Sequence, residues 1–97
     1  MLIRSQDKKM LCPLNLMGIY PLTKKEKDKD IVIHNIFIVV HGEEVDIAVY
    51  STEEKAIKVL DMIENAYLNC NHSSMMWNYA FVENKVFQMP QDEEVEM

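Results

Sequence analysis

The stretch IVIHNIFIVV, residues 31–40, decides the fold, because it is dense in β-branched residues and is apolar on both faces of the strand that it predicts. Such a strand is typical of the centre of a sheet, with a helix on one side and a second subunit as the candidate cover for the other. The turn sequence HGEE follows, and then VDIAVY, residues 45–50, in which apolar and polar side chains alternate. The two segments together predict an antiparallel hairpin.

A helix is predicted directly after this hairpin, over residues 52–69. Ser51 is a favoured N-cap residue, and Glu54 three residues later completes a capping box. Apolar side chains then recur at steps of three and four residues along one face, as far as Cys70. The sequence therefore predicts an α+β fold, in which an antiparallel sheet of about four or five strands carries one main amphipathic helix on one face.

The remaining segments complete a single domain over residues 1–97. Short strands are expected at residues 1–5, 16–20 and 78–89. The run TKKEKDKD, residues 23–30, has no apolar side chain and is interpreted as a charged, mobile loop. The last segment, QDEEVEM at residues 91–97, is mostly acidic and is interpreted as a frayed tail.

The charge of the chain is negative and unevenly spread. Ten lysine and arginine side chains stand against sixteen acids, for a formal net charge of −6. Residues 1–30 have seven bases and four acids, whereas residues 31–97 have three bases and twelve acids. The net charge argues against binding to duplex nucleic acid or to an anionic membrane. This separation of positive and negative charge along the chain favours head-to-tail association of copies or the binding of a basic partner to the acidic part, although ordinary solubilising charges produce the same pattern.

Sequence motifs for catalysis or metal binding are missing. His34 and His41 are seven residues apart, so on a regular strand they face opposite sides of the sheet and cannot share one metal ion. The two cysteines form no CxxC pair, and we interpret Cys70 as a core residue rather than as a nucleophile paired with His72. Two glycines are too few for a phosphate-binding loop. We therefore expect no enzyme activity, no cofactor and no metal ion.

Surfaces for binding are the remaining candidates for function. Arg4 is the only arginine, and it is the side chain best suited to clamp a phosphate or a carboxylate. The cluster of Met75, Met76 and Trp77 is either a lid over the core or an exposed contact patch. The residues expected at a subunit interface are Ile36, Ile38, Met75, Met76 and Trp77.

Three stretches of the chain carry a family resemblance: MLIRSQDK at residues 1–8, YSTEEKAIKVLDMI at residues 50–63 and VFQMPQD at residues 86–92. Together they resemble a family of short, mostly uncharacterised proteins in phages and prophages of Gram-positive bacteria. The resemblance covers about 30 of the 97 residues and supplies no catalytic motif. It implies a protein of the host-cell cytoplasm, in which the first strand pairs beside the last. The sequence shows no secretory signal and no apolar run long enough to span a membrane.

Small phage proteins are often antagonists of bacterial immunity that act by binding, and the resemblance therefore implies three functions. One is a homo-oligomeric sponge that sequesters a nucleotide-derived immune signal, as anti-Thoeris sponge proteins do. Another is an inhibitor that offers its acidic face, with Glu43, Glu44, Asp46 and the acidic tail at residues 91–97, to the basic surface of a host defence nuclease. The third is a phage accessory protein without an immune role. For the sponge, phosphate and stacking contacts are expected from Arg4, Lys8, Lys9, Tyr20, Trp77 and Phe87.

Overall fold

The computed structural model describes residues 1–74 and 86–96, which form six strands, one α-helix and one turn of 3-10 helix. The strands are β1 (Leu2–Arg4), β2 (Leu11–Pro13), β3 (Met17–Glu26), β4 (Lys29–Val40), β5 (Glu43–Tyr50) and β6 (Val86–Gln88). The α-helix α1 spans Glu53–Ser74, and the 3-10 helix spans Asp92–Glu94. The predicted α+β class is confirmed.

The strands are divided between two sheets of three strands each. The large sheet has the antiparallel order β3–β4–β5, so the strand predicted from residues 31–40 is its central strand. The small sheet has the order β2–β1–β6, with β1 antiparallel to β2 and parallel to β6. Ile3 of β1 lies opposite Phe87 of β6, which confirms that the first strand pairs beside the last strand of the described chain.

One hydrophobic core joins α1 to the inner faces of both sheets. The helix contributes Ala56, Val59 and Ile63, which recur at the predicted three- and four-residue spacing and are at most 4% exposed. Ile36 and Ile38 of β4 are 0% exposed inside this one chain. This burial corrects the expectation that they lie at a subunit interface, because their side chains have no surface left for a partner.

Residues 23–30 form the end of a β-hairpin and not the loop predicted from their charge. The chain turns at Lys27 and Asp28, which have positive φ angles of 52° and 66°. The alternation of charge along the run places opposite charges across the ladder, and such pairs stabilise strands without burial. The pairs are Lys25 with Asp30 and Glu26 with Lys29. Because β5 pairs only with residues 34–40 of β4, residues 22–33 form a two-stranded extension, which we call the arm.

The start of α1 differs from the predicted capping box. Thr52 Oγ1 accepts the backbone N–H of Lys55 at 3.1 Å, so Thr52 and not Ser51 caps the helix. The hydroxyl of Ser51 instead donates to the carboxylate of Asp92 at 3.0 Å. A partner 41 residues away in sequence therefore decides which of two suitable caps is used. The helix also continues beyond the predicted span of residues 52–69.

The acidic segment after β6 is docked on the body, which corrects the prediction of a frayed tail at residues 91–97. Val95 is 5% exposed and belongs to the core. The Asp92 carboxylate accepts the backbone N–H of Ser51 at 2.7 Å and forms a salt bridge of 3.4 Å with Lys55 Nζ. The burial of Val95 and the contacts of the Asp92 carboxylate hold this segment on the body, despite the acidic composition from which fraying was predicted.

Gln6 joins the two sheets, because it lies two residues after β1 and also borders the edge of β5. Its backbone N–H donates to the Ile47 carbonyl at 2.8 Å. Its side-chain Oε1 accepts the N–H of Val49 at 2.9 Å, and its Nε2 donates to the Val49 carbonyl at 3.1 Å. The same Nε2 donates to the Pro90 carbonyl at 3.1 Å. The Gln6 side chain therefore bonds to both the N–H and the carbonyl of Val49 in β5, as the backbone of a neighbouring strand would.

Candidate functional site

The candidate site residues from the sequence lie on several surfaces and do not form one site. Arg4, Lys8 and Lys9 are exposed in or beside the small sheet, Phe87 is half-buried in that sheet, and Tyr20 is half-buried in the large sheet. The cluster of Met75, Met76 and Trp77 lies outside the described residues, as does most of the strand predicted at residues 78–89.

Arg4 lies in the central strand of the small sheet, with its side chain on the exposed face. Side chains alternate along a strand, so the neighbouring Ile3 points into the core and Arg4 points outward. Across the ladder, Arg4 lies between Leu11 of β2 and Gln88 of β6, both of which are exposed. The guanidinium is therefore positioned on an open surface by strand pairing on both sides.

The turn between β1 and β2 brings two lysines to the same end of this sheet. The N–H of Lys8 donates to the Ser5 carbonyl at 2.9 Å. The Asp7 carboxylate accepts the Ser5 hydroxyl at 2.6 Å and the backbone N–H of Lys9 at 3.0 Å. These hydrogen bonds, the one from Ser5 foremost, lower the pKa of Asp7. The carboxylate is thus used to hold the turn, while Lys8 and Lys9 remain exposed. We call Arg4, Lys8 and Lys9 the basic face.

The two aromatic residues expected beside the basic face lie elsewhere. Phe87 is opposite Ile3 on the ladder and packs against the core, so its ring is on the face of the small sheet that Arg4 does not share. Tyr20 belongs to the other sheet. The predicted stacking contacts from these two side chains therefore cannot accompany a phosphate held by Arg4. Alternation along β6 leaves the exposed Val86 and Gln88 as its neighbours instead.

A second exposed surface is the face of the large sheet opposite the core, which we call the open face. On β4 it carries the odd-numbered residues, since Ile36 and Ile38 point the other way into the core. Several large apolar side chains on it are exposed: Leu22 by 46%, Ile31 by 40% and Val49 by 39%. By ladder pairing, the open face consists of Gly18, Tyr20, Leu22, Lys24, Glu26, Lys29, Ile31, Ile33, Asn35, Phe37, Val39, Glu44, Asp46 and Val49.

Three polar side chains form a hydrogen-bonded cluster within the open face. The Tyr20 hydroxyl donates to Asp46 Oδ2 at 2.6 Å and accepts Asn35 Nδ2 at 3.0 Å. The hydrogen bond to Asp46 raises the pKa of Tyr20, because ionisation would place two negative charges side by side. Asn35 is only 7% exposed, and its Oδ1 has no hydrogen-bond partner in the described part of the chain.

An aromatic pair covers the strands beside this cluster. The rings of Tyr20 and Phe37 have their centroids 6.0 Å apart, with a tilt of 46° between planes. Phe37 lies directly over Gly18, where an added Cβ would be 2.6 Å from the Phe37 Cζ. The absence of a side chain at Gly18 therefore allows the Phe37 ring to lie close to the sheet.

The open face has opposite charges at its two ends. Glu44 and Asp46, in β5, are exposed beside Val39 and Phe37 at the body end. Lys24 and Lys29 are exposed at the arm end, where Glu26 is the only carboxylate assigned to the face. The hydrogen-bonded partnership of Tyr20, Asn35 and Asp46 was not predicted from the sequence. A polar residue in the middle of the apolar run at 31–40 was the signal that could have indicated it.

The described residues show no pocket in their surface and no group of three His, Cys, Asp or Glu side chains placed to bind a metal ion. Within the same ranges, no helix combines the length and the apolar character that a membrane crossing requires. Neither a protein-family model, nor a curated protein, nor a solved structure matches this chain. The resemblance to phage and prophage proteins therefore stays a prediction.

Proposed function

We propose that this chain is a non-enzymatic binding protein that sequesters an anionic, nucleotide-derived ligand at its basic face and works as a homo-oligomer. The observation that supports the proposal is the position of Arg4, the only arginine of the chain, on the exposed side of a central strand. Among the described residues, the one salt bridge joins Lys55 to Asp92, so Arg4 is not engaged in an ion pair there.

The chemistry of the basic face suits a phosphate-bearing ligand. A guanidinium offers two parallel N–H donors to one phosphate, and the exposed Lys8 and Lys9 add positive charge at the adjoining turn. Leu11 and Val86, which are 49% and 47% exposed, provide apolar surface near Arg4 for a base or a ribose. In the phage–host setting implied by the sequence resemblance, such a ligand would be an immune signal, and binding alone would silence it.

Calorimetric titration of the full chain with ADP-ribose and with a cyclic dinucleotide tests this function. We expect saturable binding of at least one of the two, and Arg4→Ala should weaken it by about 10- to 100-fold, as loss of charge-assisted hydrogen bonds does. The matched control is Lys25→Ala, which removes one exposed positive charge from the arm and should leave binding unchanged. Absence of binding to the wild type, or an equal effect of the two substitutions, contradicts the proposal.

A second candidate function is inhibition of a basic protein, such as a host nuclease, by the acidic end of the large sheet. The observation that favours it is the exposure of Glu43, Glu44 and Asp46 around one turn. This function predicts binding to the basic protein that weakens steeply with added salt and does not respond to nucleotides. Glu43→Lys with Glu44→Lys should abolish that binding, whereas Arg4→Ala should not change it.

A further inference from the structure

We propose that the open face is the docking surface for a second copy of this chain, with the two copies antiparallel and the arm of each lying over the acidic end of the other. The inference deepens the homo-oligomer part of the proposed function. It names the surface and the orientation, and it does not depend on the ligand or on the basic face. Ile36 and Ile38 have no part in it, because they point into the core from the opposite face.

The arm is the part of the open face that a further packed layer would stabilise most. A hairpin of only two strands is marginally stable in water unless a further layer packs on it. Here β5 ends opposite His34, so among residues 1–74 and 86–96 no third strand pairs with the arm. Leu22 and Ile31 nevertheless present apolar side chains that are 46% and 40% exposed. Together with Ile33 and Phe37 they form an apolar strip that continues from the arm onto the body.

The distribution of charge on the open face selects a second copy as the occupant. The acidic end carries Glu44 and Asp46, and the arm end carries Lys24 and Lys29 with one carboxylate, Glu26. A purely basic or a purely acidic partner would complement only one end. A second copy in antiparallel orientation complements both, whereas a parallel copy would place like charges together.

The strand register shows that such a pairing is possible by two-fold symmetry. Ile33 lies four residues from Lys29 and four residues from Phe37, whose neighbour in β5 is Asp46. Each interval is about 13 Å along a strand. A two-fold axis at the level of Ile33 therefore places the Lys29 of each copy at the level of the partner's Phe37 and Asp46. Lys24, which lies opposite Ile31, then falls at the level of Tyr20 and its bound Asp46 carboxylate.

Sedimentation velocity of the full chain over a concentration series tests the docking. A face two strands wide at the arm and three at the body is at the small end of stable interfaces, so we expect a dimer that dissociates at micromolar concentration, on the order of 10 to 100 µM. Lys24→Glu should weaken the dimer about tenfold, because it brings a carboxylate toward Asp46 in two symmetric places. Adding Asp46→Lys to this variant should restore the dimer, because the pair is then reversed and not broken.

The matched control is Lys25→Glu together with Asp30→Lys, which reverses a cross-strand pair on the opposite face of the arm without placing like charges across the ladder, and it should leave the dimer intact. A monomeric wild type at the highest concentration overturns the docking, as do equal effects of Lys24→Glu and of this control. Hydrogen exchange of the wild type gives a second measurement, which does not depend on the folding of any variant. Protection of the backbone amides of Leu22, Ile31 and Ile33 from exchange should rise with protein concentration. Unchanged protection there also overturns the docking.

The two proposals fail in distinguishable ways. A monomer that still binds a nucleotide through Arg4 overturns the docking and leaves the ligand site standing. A dimer that depends on Lys24 but binds no nucleotide supports the docking and contradicts the ligand site.

Discussion

Replacement of Gln6 by alanine should loosen the junction between the two sheets. The carboxamide supplies three hydrogen bonds there: it accepts from the Val49 N–H at 2.9 Å and donates to the carbonyls of Val49 and Pro90, each at 3.1 Å. Gln6→Ala removes all three and leaves the backbone N–H of Gln6 on Ile47 in place. The effect of the substitution therefore measures the side chain alone.

The magnitude follows from how exposed these hydrogen bonds are. A typical hydrogen bond contributes about 1 kcal/mol net, and water replaces part of that where the site is open. The two bonds to Val49 are exposed and the bond to Pro90 is partly buried. We therefore expect a loss of about 1.5 to 3 kcal/mol in the free energy of unfolding. For a domain of 97 residues the corresponding fall in Tm is about 7 to 15 °C.

Urea unfolding followed by far-UV circular dichroism measures the free energy directly. The matched control is Asn15→Ala, because within the described part of the chain the exposed Asn15 side chain accepts a hydrogen bond only from its neighbour, the N–H of Leu16. A second variant, Gln6→Glu, should be at least as destabilising at neutral pH, since a carboxylate cannot donate to the carbonyls of Val49 and Pro90. A loss below about 0.5 kcal/mol in Gln6→Ala, or a loss equal to that of the control, would refute the role assigned to this side chain.

Two further predictions concern the docked C-terminal segment. Hydrogen bonds, first from the backbone of Ser51, lower the pKa of Asp92 below its ordinary value of 3.8, so the stability that this group adds is present above that value and is lost as the pH falls below it. Asp92→Asn should therefore reduce the difference between the free energies of unfolding at pH 7 and pH 3, and an unchanged difference would contradict the assigned contacts. Val95→Ala should cost about 1.5 to 2.5 kcal/mol in urea unfolding because the side chain is buried. Val86→Ala, at a position 47% exposed, should cost much less, and equal losses would show that the segment is not docked.

The features that the sequence predicted well are those set by neighbours along the chain. Alternation and β-branching identified the hairpin around residues 31–50, and the three- and four-residue spacing of Ala56, Val59 and Ile63 identified the buried face of α1. These patterns report local geometry directly. The charged run at residues 23–30 was predicted to be a loop because it has no apolar side chain to bury, but its alternating charges pair across a hairpin. The cross-strand pairing of Lys25 with Asp30 shows that the alternation was the better signal.

The features that the sequence did not predict depend on single contacts between distant residues. The docking of the acidic segment rests on Asp92 reaching Ser51, and the junction of the sheets rests on Gln6 reaching Val49 and Pro90. No periodic pattern in the sequence indicates either contact. At the candidate site, the short strand predicted around Arg4 accounts for the exposure of its side chain. Side chains alternate between the two faces of a strand, however, so Phe87 lies on the opposite face of the same sheet from Arg4.

The parallel pairing of β1 with β6 bears on how the chain folds during its synthesis. β1 leaves the ribosome before the other described strands, yet the partner that completes its sheet begins at Val86. A parallel pair closed over so long a separation has a high entropic cost of closure and forms slowly. Until then Ile3, which is fully buried in the finished domain, lacks its neighbour Phe87. The hairpin of β4 and β5 with α1 is local in sequence and can form earlier, so the small sheet with its basic face is expected to form after them.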